Sequence, residues 1–184
     1  MDPDVLALLL EWVRSRYFGK YRGTVVSNHD KTKKGRLQVK VPALGDATVW
    51  AMPCVPYAGK GVGLLALPPE NSGVWVEFEG GDPSFPIWTG CFWADGEAPE
   101  NAAPDIKVWK TDSHTVRLDD KAGEMLLDNG DAHVQLSSDV TAEAGEAKLT
   151  VGSEGVTGEL GPHKIQASLA AASLIGVQGA LAVS

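Results

Sequence analysis

Val74-Trp75-Val76-Glu77-Phe78-Glu79-Gly80-Gly81-Asp82-Pro83-Ser84-Phe85-Pro86-Ile87-Trp88-Thr89-Gly90 reads as two short strands joined by a tight turn. Val74, Val76 and Phe78 fall on one face of an extended chain, with Trp75, Glu77 and Glu79 on the other. That is the period-two alternation of a half-buried strand. Gly80-Gly81-Asp82-Pro83 has turn chemistry, and Pro86 to Trp93 forms the second strand. Working upstream, Tyr21 to Ser27 is a strand candidate and Asn28-His29-Asp30 a turn. Gly35 to Val41 alternates with Leu37, Val39 and Val41 on one face until Pro42 stops it. Val49 to Val55, broken at Pro53, and Val62 to Leu67 complete the set. Five or six short strands joined by Gly/Pro turns within about 75 residues predict a small closed barrel. Closure leaves so short a sheet without exposed edges.

Before the barrel, residues 4–17 read as an amphipathic helix within an N-terminal segment 1–17. Asp2 or Asp4 caps it, Val5, Leu8, Leu9, Trp12 and Val13 form its apolar stripe, and Gly19 ends it. A helix this short is not stable alone, so it must pack on its own barrel or on another protein. The apolar run Val5–Leu10 follows acidic residues, unlike a signal peptide. It is far shorter than the roughly 20 residues that span a bilayer.

After the barrel, assigned to 18–93, residues 94–105 are small, acidic and without period, and a linker is drawn at 94–110. From 111 to 184 the texture changes. Short alternating segments at 114–119, 124–128, 133–137, 148–151, 155–158 and 164–167 are separated by Asp-Gly, Asn-Gly, Gly-Ser or Gly-Pro turns. Aromatic residues stop at Trp109. Strands this short cannot bury an apolar face alone, so stacking or oligomerisation must supply a core. Turn spacing predicts about seven or eight strands in this region. Alternation selects as core positions Val116, Leu118, Leu127, Val134, Leu136, Leu149, Val151, Val156, Ile165, Leu174, Ile175, Val177, Leu181 and Val183. The nearly uncharged stretch Ala167–Ser184 is expected to be buried against other chains.

Composition narrows the function. Of 184 residues 43% are hydrophobic and 22% charged, the balance of a folded protein. A formal net charge of −8 makes nucleic acid a poor default partner. The cations that do cluster, Lys31, Lys33, Lys34 and Arg36, read first as a solvated loop. Cys54 and Cys91 lie among apolar residues, with no Cys or His at metal spacing, and read as buried reduced thiols. Glu77 and Glu79 share one strand face, whereas glycosidase carboxylates face each other across a cleft. His29, His114, His133 and His163 are scattered, with no nucleophile around them. Gly59-Lys60-Gly61-Val62-Gly63 lacks phosphate-loop spacing and reads as a barrel loop. No cofactor, metal site or catalytic residue is expected.

Phe18-Gly19-Lys20-Tyr21-Arg22-Gly23-Thr24-Val25-Val26-Ser27 and Gly35–Pro42 resemble the opening strands of phage baseplate assembly protein V and its relatives, the valine-glycine repeat spike proteins. The stretch 74–90 resembles the end of the same OB domain. His114–Asp120 is similar to the start of the needle in that family, and 161–166 and 176–180 to its closing strands. The resemblance implies an all-β chain: the helix, an OB-fold barrel, then a trimeric triangular β-helix (β-prism) needle. It implies a homotrimer seated in a baseplate hub, with a PAAR-type tip protein at the C-terminal end and a target membrane met only on puncture. It implies assembly in the bacterial cytoplasm into a phage tail or tail-like particle, including particles released extracellularly. The linker leaves no room for the lysozyme domain some phage spikes carry, and His163 stands alone where some carry a paired-histidine ion site. Trp12, Trp75 and Trp88 are the candidates for hub contact. The expected function is mechanical, that of a non-enzymatic spike of a contractile injection system. The alternative is an OB-fold protein binding single-stranded nucleic acid through its tryptophans.

Overall fold

The computed structural model describes residues 3–99, 103–168 and, by backbone pairing alone, 172–175. The chain divides into two compact units, Met1–Ala98 and Pro99–Ser184.

The first unit opens with helix α1, Pro3–Arg14, followed by β1 (Tyr21–Ser27), β2 (Leu37–Lys40) and β3 (Thr48–Pro53). A two-residue hairpin, β4 (Ala58–Gly59) with β5 (Val62–Gly63), precedes β6 (Gly73–Phe78) and β7 (Pro86–Phe92). Five of these strands close a barrel in the order β1-β2-β3-β7-β6, in which only β3 and β7 run parallel. The alternation read from sequence is the cause. Leu37, Val39, Val41, Val74 and Val76 are fully buried, and Val25, Ala51, Phe78 and Trp88 complete the core. Bulges between Val25 and Ser27 and between Trp75 and Val76 sharpen the twist that closure requires.

Three expectations for this unit fail. Val62–Leu67 contributes only Val62–Gly63 as strand. Leu64 and Leu65 are instead exposed, at 48% and 71%, on an arm outside the barrel. Cys54 and Cys91 are free and exposed, not buried: Cys54 lies just past the end of β3, and Cys91 is the next-to-last residue of β7. The helix stops at Arg14, three residues early. Its end is tied to the barrel turn, where Tyr17 N–H donates to Gly81 O (2.8 Å) and Arg16 pairs with Asp82 (2.9 Å). Gly81 is irreplaceable there, since it has φ 75° and a Cβ would lie 2.8 Å from the Phe18 ring.

The second unit is one antiparallel meander. Its strands are β8 (Ile106–Lys110), β9 (Thr115–Asp119), β10 (Glu124–Asp128), β11 (Ala132–Leu136) and β12 (Val140–Ala144). β13 (Ala147–Gly152), β14 (Gly155–Leu160), β15 (His163–Ala167) and β16 (Ala172–Ile175) follow. All nine pair in strict chain order, eight of them within 111–184, where seven or eight were expected. β8 occupies 106–110, inside the stretch assigned to a linker, and pairs over five positions with β9, so the irregular run ends at Asp105. Unlike the barrel, this sheet has no fully buried residue on the described strands.

Candidate functional site

Register sorts the second sheet into two faces. Residues directly opposite in an antiparallel pair point the same way. Leu127 faces Val116 on one side and Val134 on the other, Val134 faces Ala142, and Ala142 faces Leu149. A second row runs Leu118, Met125, Leu136, Val140, Val151, Val156 and Ala167. Trp109 opens the first row, opposite Val116, and Leu160 joins the same face opposite Ala147. One side of the sheet is therefore apolar from β9 to β15. It remains open: Leu118, Leu127, Leu136, Leu149, Val151, Val156 and Ile165 are all 40% exposed or more. A groove of about 930 Å³ runs along it, with Val116, Leu127, Val134, Leu149 and Ile165 in its lining.

The other face carries charge in register. Asp128 stands opposite His133, His133 opposite Glu143, Glu143 opposite Lys148, Lys148 opposite Glu159, and Glu159 opposite Lys164. The contacts are Lys148–Glu143 at 2.6 Å, His133–Glu143 at 3.6 Å and Lys164–Glu159 at 3.2 Å. The Lys148 hydrogen bond holds the Glu143 carboxyl below its ordinary range, and Glu143 in turn pushes the Lys148 ammonium up. Beside this ladder runs a neutral one, Gln135, Thr141, Thr150, Thr157, Gln166 and Ser173. This is a face made for water, back to back with one made for apolar contact.

The structure thus brings Val116, Leu118, Leu127, Val134, Leu136, Leu149, Val151, Val156 and Ile165 to one face. Register continues that row at Leu174, opposite Ile165, and sets Ile175 opposite Lys164, so those neighbours occupy different rows. Val177, Leu181 and Val183 lie outside the described residues. Met125, Val140, Leu160 and the alanines of β12 belong to the face as well. Their signal was weak because Ala carries little strand propensity.

The three tryptophans chosen for hub contact separate. Trp12 is exposed on α1, 5.6 Å beneath the Arg16 guanidinium. Every large apolar residue of that helix is open. Trp75 is half-covered by Arg22 (5.2 Å) and Phe92 (5.0 Å). Trp88 is 5% exposed and donates from Nε1 to Gly35 O at 3.1 Å, so it fills the barrel core and cannot meet another protein.

Nothing catalytic assembles among the described residues. Glu77 is engaged by Lys20 (2.5 Å), and no group of three His, Cys, Asp or Glu is placed to hold a metal ion. No described helix is long and apolar enough to cross a membrane.

A three-strand meander whose third strand runs parallel to the fifth, closed by a fourth against the first, defines an OB-type barrel. Residues 21–93 match the family model of the Type VI secretion system/phage-baseplate injector OB domain. The barrel is similar to that domain, and the match supports a place for the chain among baseplate spike proteins. A comparison with curated proteins finds no match.

Proposed function

We propose that this chain is the central spike of a contractile injection machine, with three copies packing their second sheets into a needle. One observation carries this reading: a nine-stranded sheet whose apolar face runs from β9 to β15 and is left open among the described residues. Apolar area on that scale is stable in water only when buried. Three sheets turned face to face would bury it, leave the ionic and hydroxyl ladders outward, and make unfolding require separation of all three chains. The barrel is the collar that seats in the hub. Helix α1, apolar except along Asp4, Glu11 and Arg14, is the part that packs against the hub wall. The C-terminal end is the docking platform for a PAAR-type tip, and the assembly pierces the target envelope on contraction.

Light scattering tests this directly. The expected mass is three times the 19.4 kDa chain, resistant to denaturing detergent. A monomer at every concentration would overturn the reading. The nucleic-acid alternative is not favoured. Trp88 is inside the barrel, Trp75 is capped by Arg22 and Phe92, and Glu77 sits on the same strand as Trp75. Of the tryptophans that could stack a base, Trp93 stays open at 67%, but it leads into the acidic run 94–105, which repels phosphates.

A further inference from the structure

The barrel carries a second groove, of about 820 Å³, that the needle reading does not use. One wall is the loop between β1 and β2, with Lys31, Lys33 and Lys34. The other is the arm around β4 and β5, with Tyr57, Leu64 and Leu65 exposed at 59%, 48% and 71%. We propose that this groove receives residues 93–98 of a neighbouring copy, with Trp93 against the apolar arm and Asp95 and Glu97 against the lysines. The proposal rests on the homotrimer reading.

The lysine wall is built in advance. The Asp30 carboxylate, 3% exposed, accepts hydrogen bonds from the backbone N–H groups of Thr32, Lys34 and Arg36 and from the Thr32 and Arg36 side chains. Arg36 meets it at 2.9 Å and lies 5.2 Å over Trp50. The only acid of the loop is thereby spent on Arg36. Lys31, Lys33 and Lys34 form no ion pair among the described residues, so three cations stand fixed and uncompensated on a chain of net charge −8.

The complement lies in the same chain. Residues 94–105 hold Asp95, Glu97, Glu100 and Asp105 and no Lys or Arg. They follow Trp93, which is 67% exposed. Topology puts the two at one level. Gly73, at the start of β6, pairs with Thr24 in the middle of β1 and with Phe92 at the end of β7, so β1 and the chain after β7 both run on past the start of β6. The lysine loop leaves from that end of β1, and its Gly35 is bonded to Trp88 of β7. Groove and strand exit therefore share one end of the barrel. With the barrel axis set along the three-fold axis, the exit of one copy would stand at the height of its neighbour's groove. The chain's own 93–98 segment does not line its own groove, and the Glu97 carboxylate there accepts from Ala94 N–H at 2.7 Å.

The test places a photo-crosslinking amino acid at Leu65 in the full chain and mixes isotopically heavy and light copies. Crosslinks between chains to the peptide holding Trp93 are expected. K31E/K34E should lower their yield about fivefold, the scale of exposed ion pairs, and D95K/E97K in the same chain should restore it. A trimeric mass with crosslinks confined to one chain, or aimed at another segment, overturns the proposal and leaves the trimer standing. A monomeric mass overturns both.

Discussion

Val140 and Val151 stand directly opposite each other on β12 and β13, and they are 43% and 42% exposed. A cross-strand valine pair normally contributes by packing on what lies above it. Here no described residue covers it. V151D should therefore raise the concentration at which half the chains are assembled by at least about a hundredfold, since three unpaired carboxylates would face each other in a dry core. T150D, on the neighbouring outward row, should leave assembly intact. Sedimentation of both variants checks this, and equal behaviour would place the interface elsewhere.

The loop that carries the lysines hangs on Asp30. Arg36 holds its carboxyl far below the ordinary carboxylate range. A folded-state pKa below the unfolded one adds stability above the unfolded value and loses it as pH falls. D30N should lower Tm at neutral pH. The gap to the natural chain should begin to narrow below about pH 4, where an unfolded aspartate starts to bind a proton. It should close only below the much lower folded value. A Tm series from pH 7 to pH 2 reads both the size and the window.

The ionic ladder gives a charge-reversal test. E143K sets a cation between Lys148 and His133, where the Glu143 carboxylate now lies between two bases. Tm should fall in low salt, the fall should shrink in 1 M NaCl, and K148E in the same chain should recover part of it. A salt-independent loss would mean the row acts by packing alone.

Trp88 and Trp93, five residues apart, should behave as opposites. W88A removes a core side chain and should cost the barrel about 3–5 kcal/mol. W88F keeps most of the bulk and loses the bond to Gly35 O, a change nearer about 1 kcal/mol. W93A should leave barrel unfolding unchanged. Chemical denaturation followed by near-UV circular dichroism separates the three.

The barrel was legible where alternation and burial coincide. Leu37, Val39 and Val41, then Val74, Val76 and Phe78, announce two inward strand faces, and every one is buried. Val62–Leu67 misled because its apolar density comes without alternation, and density fits an exposed contact arm as well as a strand. β12 was missed because Val140-Thr141-Ala142-Glu143-Ala144 alternates through alanines, which mark a face too faintly. β8 was hidden by the acidic run before it. The cysteines show the limit of reading burial from neighbours: apolar flanks say nothing about whether a position lies inside the barrel or outside it. The pairing of Glu143 with Lys148 lies five residues apart in sequence, yet only register makes it part of a row.

The strict chain order of the second sheet has an evolutionary corollary. Each strand there pairs only with those next to it in sequence, so no strand depends on a distant one for its place. A hairpin added to or removed from the middle would return the chain to the same row and the same faces. The length of this sheet is then a free variable, adjustable by small duplications, while the barrel stays as it is.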